Sequence, residues 1–237
     1  MKSKSLNKYI AEKGICSRRQ ADILIEEGRV TINGKTARKG NRVESGDVVR
    51  LDGKDISGME KKRIYLAFHK PAGVTCTTDR SDPDNIIDFI DFPERIFPIG
   101  RLDKMSEGLL LLTNDGDIVN KILRSRNNHE KEYIVEVNKM IIPEFIEKMA
   151  GGVPILDTVT KPCFVERLDD YTFRIILTQG LNRQIRRMCT HLGYHVRKLQ
   201  RVRIMFIELG DLLKKEWRYL TDEEMEKMNR WLEFSEG

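Results

Sequence analysis

From Ile64 onward the chain repeats short runs of strand character, YLAFHKP, KEYIVEV, TFRIILTQG and HVRKLQRVRIMFIEL, with few helical patterns between them. Alternating apolar positions rich in β-branched and aromatic residues fit a pleated, partly buried surface. Helical patterns lie at DGDIVNKILRS and IIPEFIEKMAGG, with Gly116-Asp117 and Pro143 near their starts. A terminal helix is expected in EEMEKMNRWLEF, packing through Met225, Met228 and Trp231 or Leu232. Many strands and few helices predict an α+β fold, with a mixed, mostly antiparallel sheet flanked by helices in a large domain over 64–237.

Residues 1–58 read as a separate, smaller helix-helix-strand unit. In LNKYIAEKG, Leu6, Tyr9 and Ile10 share one helical face and Gly14 supplies a stop. Ser17 and Gln20 have the spacing of a capping box, Ala21, Leu24 and Ile25 form the stripe of a second helix, and Gly28 suits its C-terminal cap. Asn33-Gly34 within VTINGKTA is a hairpin turn signal, and GDVVRLDG adds a strand. The polar, glycine-bearing stretch DGKDISGMEKKR, residues 52–63, reads as a linker.

The 237 residues, 40% of them hydrophobic, supply enough apolar material for a soluble globular protein with a core. No run approaches the roughly 18 apolar residues of a membrane span, and Met1 to Leu6 is polar and basic, unlike a signal segment. The expected location is the cytoplasm, with Cys16, Cys76, Cys163 and Cys189 as reduced thiols, since no CxxC pair occurs. Charge is divided unevenly: residues 1–63 hold 16 Lys/Arg against 9 Asp/Glu. A second basic run, Arg183, Arg186, Arg187, Arg197, Lys198, Arg201 and Arg203, contains no acid. Two basic surfaces suit a long polyanion, although charge by itself fits two solvated faces equally well.

The stretch SRRQADILIEEGRVTINGKTA, followed by the SGD turn before VVRL, resembles the S-four-type RNA-binding domain. That resemblance implies that Lys13, Arg18, Arg19 and the neighbouring Arg29 face the phosphates of structured RNA, which position a substrate without reading its sequence. The segments YLAFHKPAGVTCT, PIGRLDKMSEGLLLLTNDG, HEKEYIVEV and LTQGLNRQIRRMC resemble those of the bacterial ribosomal RNA pseudouridine synthases, over the whole of the second domain. The last two look most like the subgroup acting on large-subunit (23S) ribosomal RNA, some members of which also accept a tRNA.

The resemblance implies a reaction that detaches uracil from ribose, rotates it, and rejoins it through carbon 5, with no cofactor and no metal. Asp103 matches the family's catalytic aspartate. Attack on the ribose, addition to the uracil ring and removal of a ribose proton are all open to it. A carboxylate in a closed pocket tends to take up a proton unless a cation adjoins it, and Arg186 matches the arginine in that role. An arginine is suited to grip both carboxylate oxygens. Tyr133 matches the ring that stacks on the flipped base, and Ile185 is placed to floor the uracil pocket. These residues lie in stretches that read as strand or turn. Arg101, Leu102 and Lys104 are expected to fill the space the base vacates or to hold phosphates, with Arg183, Gln184 and Arg187 extending the RNA-facing surface. Lys70-Pro71-Ala72-Gly73 is expected to fix a supporting turn, and Met105 stands where relatives often carry a polar or acidic residue.

Two other readings compete. Cys189, His191 and His195 cluster in CTHLGYH, but Leu192 stands where a zinc protease has its glutamate and Gly193 weakens the helix. A non-catalytic RNA-binding ribosome assembly factor would use the same basic surfaces without needing Asp103, Tyr133 and Arg186 together. The sequence therefore favours a monomeric enzyme acting on structured RNA, with no membrane partner.

Overall fold

In the computed structural model, which describes residues 3–59, 61–123 and 129–234, the chain divides into two units. One is Met1–Arg63 with Asn114–Gly116; the other is Ile64–Thr113 with Asp117–Gly237.

The first unit contains β1 (Lys4–Ser5), α1 (Leu6–Glu12), α2 (Arg18–Glu26), β2 (Val30–Ile32), β3 (Lys35–Thr36), β4 (Arg42–Val43), β5 (Val49–Leu51) and β6 (Lys54–Asp55). Ser17 caps α2, its hydroxyl accepting the Gln20 amide at 3.0 Å. Asn33 and Gly34 both take left-handed backbone, φ 50° and 79°, and this turn joins β2 to β3. Leu6, Ile10, Ala21, Leu24 and Ile25 bury their helical faces against Val30, Val49 and Ile56. The expected linker over 52–63 needs correction. Asp52 and Gly53, at φ 48° and 77°, form a second tight turn, β6 pairs with β5, and Ile56 is core. Strands of two residues are too short to leave a periodic signal.

The second unit contains β7 (Tyr65–Lys70), α3 (Ile86–Ile90), β8 (Phe97–Ile99), β9 (Glu107–Thr113), α4 (Gly116–Leu123), β10 (Lys131–Val137), α5 (Pro143–Gly151), β11 (Pro154–Ile155), β12 (Thr158–Val159), β13 (Phe164–Arg167), β14 (Thr172–Leu177), α6 (Gln184–His191), β15 (Val196–Ile204), β16 (Ile207–Glu208), β17 (Trp217–Tyr219) and α7 (Asp222–Phe234). Its main sheet runs β13-β14-β10-β15-β9-β7-β17, with β16 on β15 and β8 on β9. The pairing of β15 with β9 is parallel and the others are antiparallel, giving the mixed, mostly antiparallel sheet that the strand pattern predicts.

Strands β7 and β9 are buried on both faces. Leu109 and Leu111 meet Ile118, Ile122 and Met228 on one side, while Leu110 and Leu112 meet Ile86 and Ile96 on the other. Each such leucine contributes about 2 kcal/mol by leaving water. A third cluster joins Val135, Phe173 and Ile175 of the sheet to Phe145 and Met149 of α5 and Met188 of α6. In α7, Met228 is buried and Met225 packs beside it, but Trp231 is about half exposed, its ring 5.5 Å from that of His129. The Leu232 side chain, and Arg124 and Ser125 at the end of the DGDIVNKILRS pattern, lie outside the described residues. Among the described residues no helix is long and apolar enough to cross a membrane.

Candidate active site

Asp103 sits on the loop between β8 and β9, two paired strands of the main sheet, so both ends of the loop are anchored. Gly100 starts the loop in left-handed backbone, at φ 80°. A turn closes behind the carboxylate, where the Ser106 amide donates to the Asp103 carbonyl at 2.9 Å. Lys70 lies underneath, fully buried at the end of β7, and its ammonium donates to the carbonyls of Pro71, Lys104 and Ser106 at 2.9, 3.2 and 2.8 Å. Burial pulls the Lys70 pKa down to about 8, with Asp103 among the charges opposing that fall. The turn expected at Lys70 to Gly73 is thus tied to the aspartate loop, as the Gly73 amide also donates to the Lys104 carbonyl at 2.8 Å.

Arg186 reaches this loop from α6. The expectation that its segment forms strand or turn is corrected, because Ile185, Met188 and Cys189 repeat at helical spacing and bury one face of a short helix. Arg183 starts that helix in left-handed backbone, φ 50°. The Arg186 Nη2 donates to the Met105 carbonyl at 3.1 Å and the Ser106 hydroxyl at 3.2 Å, and Nη1 to the Val196 carbonyl at 3.5 Å. Its Nε lies 3.9 Å from Asp103 Oδ2. The two-oxygen grip expected of this arginine is therefore replaced by a single long approach, since both Nη atoms are engaged elsewhere. Burial lowers the Arg186 pKa, and the charge of Asp103 opposes that effect. Met105 contributes its carbonyl to the site while its side chain is exposed.

Tyr133 lies on β10, paired across the sheet with Ile175 on β14 and Arg201 on β15. Its half-buried ring packs against both the cluster that includes Ile185 and the cluster that includes Leu102. Asp103 and Arg186 are brought together by a loop and a helix distant in sequence, while Tyr133, on a strand, borders the core clusters that their neighbours Leu102 and Ile185 join.

The flanking residues divide. Arg101, Lys104, Arg183 and Arg187 are exposed; Lys104 pairs with Asp84 at 2.6 Å, and Arg187 bonds to the carbonyl and side chain of Asn182. Leu102, expected to fill the space the base vacates, and Gln184, expected to extend the RNA-facing surface, are both buried. Leu102 is buried beside Phe68 and Val74, its amide held by Cys76 Sγ at 3.4 Å, and Gln184 is buried with its Oε1 accepting the Leu181 amide at 3.0 Å. Ile185 is likewise buried in the core cluster that Tyr133 borders. The basic run is less of a surface than its sequence suggests, for Arg201 is 3% exposed and Arg203 is paired with Glu130 and Glu132.

In the first unit, Arg18 and Arg19 are exposed on the first turn of α2. Arg29, expected to face RNA, is exposed and forms a two-pronged pair with Asp52 at 2.8 and 2.7 Å, and Lys13 donates to the carbonyls of Ser57 and Met59. Helix α6 ends at His191, so His195 does not continue it, and no group of three or more metal-capable side chains gathers among the described residues.

Residues 64–191 match the RNA pseudouridylate synthase family, and residues 5–49 match the S4 domain. The chain is 54% identical over 231 residues to the dual-specificity RNA pseudouridine synthase RluF of Escherichia coli (strain K12), covering 97% of this chain and 80% of the relative. It is 34% identical to the ribosomal large subunit pseudouridine synthase B of Bacillus subtilis (strain 168), covering 94% of each. A solved pseudouridylate synthase structure superposes with a TM-score of 0.69 at 31% identity, covering 95% of this chain and 99% of the other.

Proposed function

Because this chain belongs to the RNA pseudouridylate synthase family, we propose that it isomerises a specific uridine in large-subunit ribosomal RNA, and one in a tRNA, through Asp103, Arg186 and Tyr133. Its similarity to a dual-specificity synthase and to a large-subunit synthase supports that choice of substrates. The observation that carries the assignment of Asp103 and Arg186 is the approach of Arg186 Nε to Asp103 Oδ2 at 3.9 Å, and Tyr133 is assigned because it borders the clusters that their neighbours Ile185 and Leu102 join.

In this reading the target uridine leaves its stack and its base lies on Tyr133, a contact worth roughly 1–3 kcal/mol. Asp103 acts on the nucleoside while Arg186 holds the loop that carries it. The bond from C1′ to N1 breaks and a bond from C1′ to C5 forms; N1 gains a proton and the C5 proton is released. The isomerisation leaves no net oxidation, so its balance needs no redox partner. Arg18 and Arg19 of the S4 domain contact RNA phosphates, and Arg101, Lys104, Arg183 and Arg187 do so around the site. A cytoplasmic setting follows from those substrates.

Mapping pseudouridines in ribosomal RNA and tRNA from cells lacking the protein tests this reading. One position missing from large-subunit RNA and one from a tRNA, both restored by wild type and not by Asp103→Asn, are expected. A complete set of pseudouridines in both RNAs would overturn the substrate assignment.

A further inference from the structure

Arg201 is a buried arginine whose charge the reading above does not use. It belongs to β15 and faces Tyr133 directly across the strand pair, so the two side chains emerge on the same side of the sheet. From there its guanidinium reaches the Asp103 loop on one side and strand β9, which follows the loop, on the other. Nη1 donates to the carbonyl of Arg101, before the aspartate, at 3.4 Å, and Nε donates to the carbonyl of Leu109, after it, at 2.8 Å. Its main chain meets the start of the strand that follows the loop, for Arg201 bridges Gly108 in the parallel pairing of β15 with β9. A Cβ on Gly108 would collide with the Arg201 carbonyl oxygen.

For packing alone, an arginine is a poor choice here. Its Nη2 is enclosed without an acceptor among the described residues, and Lys70 and Lys131 are both close enough to feel its like charge. An unpaired buried donor and neighbouring like charges both lower stability. What the guanidinium supplies in return is a planar fork whose donors are held at fixed directions toward two carbonyls, a rigidity that an apolar side chain lacks and that the rotatable ammonium of a lysine does not share.

We propose that Arg201 is a positioning residue for the isomerisation, tying the Asp103 loop to strand β9 and to the β15 register that faces Tyr133. It acts through those two side chains and not on the RNA, so its removal should lower turnover without weakening RNA binding. This rests on the reading that Asp103 and Tyr133 form the site.

The test compares wild type, Arg201→Met, Arg201→Lys and Asp103→Asn on uridine-labelled RNA. Values of kcat are normalised to the folded fraction from circular dichroism, and KM is measured in parallel. Misplacement of a reacting group by about 1 Å costs on the order of 10²-fold, so Arg201→Met should lose turnover on that scale with KM changed less than about twofold. Arg201→Lys keeps the charge and an ammonium donor group but loses the planar fork; it should recover part of the loss, and it keeps the proposal falsifiable if the methionine variant does not fold. Turnover per folded molecule within about threefold of wild type in the lysine variant, and in the methionine variant where it folds, would overturn the proposal, as would a loss confined to KM. An active Asp103→Asn enzyme would instead overturn the underlying reading of the site.

Discussion

Arg186 holds the Asp103 loop by its backbone more closely than it holds the Asp103 carboxylate: Nη2 lies 3.1 Å from the Met105 carbonyl, whereas Nε lies 3.9 Å from Oδ2. A guanidinium serves the loop, the Ser106 hydroxyl and the carboxylate from one plane, and an ammonium cannot. Arg186→Lys is therefore expected to lower single-turnover rate by about 10²-fold, the cost of a misplaced reacting group. Rates within threefold of wild type would show that charge alone suffices.

Lys70 couples pH to the same loop. With its folded pKa at about 8, below the ordinary 10.5, the folded chain sheds this proton while the unfolded chain retains it. Between those values the folded state binds fewer protons, so stability rises with pH as the buried charge is relieved. Activity runs the other way, because a neutral amine has fewer N–H groups to offer the three carbonyls of Pro71, Lys104 and Ser106. Turnover is expected to fall as pH rises through about 8, and Lys70→Met should be at least tenfold slower, without that limb. The same alkaline limb in the methionine variant would assign it to another group.

Gly108 accepts no side chain. Its φ of +105° and its contact with the Arg201 backbone both oppose a Cβ. Gly108→Ala should cost about 3 kcal/mol or more, the range of severe single substitutions, read from denaturant melts. A loss below 1 kcal/mol would mean that β9 and β15 separate easily.

Local turn chemistry was legible in the sequence, and burial of charge was not. Asn33-Gly34 and the Ser17 cap announce themselves because few residues serve those geometries. The resemblance of the GRLDKM and NRQIRRMC segments pointed to Asp103 and Arg186, but the helix carrying Arg186 covers only eight residues and gives a weak period. Arg201 looked like one cation of a surface run. The signal was present, since alternation from the buried Leu199 puts Arg201 on the inward face, but charge count overrode it. The two-residue strand β6 was hidden in a stretch whose polarity resembled a linker.

The first unit offers a separate check on helix capping. Ser17→Ala removes the acceptor for the Gln20 amide and should cost about 1 kcal/mol. Chemical denaturation followed by circular dichroism measures it; no change would mean that water replaces the hydroxyl fully.

The central claim, that the Asp103 carboxylate performs the isomerisation, is tested most directly by tritium release from 5-tritiated uridine in substrate RNA. Wild type should release tritium as C5 exchanges its proton for the sugar, and Asp103→Asn, nearly isosteric and equally able to bind RNA, should release none above background. Release by the asparagine variant at the wild-type rate would contradict the account.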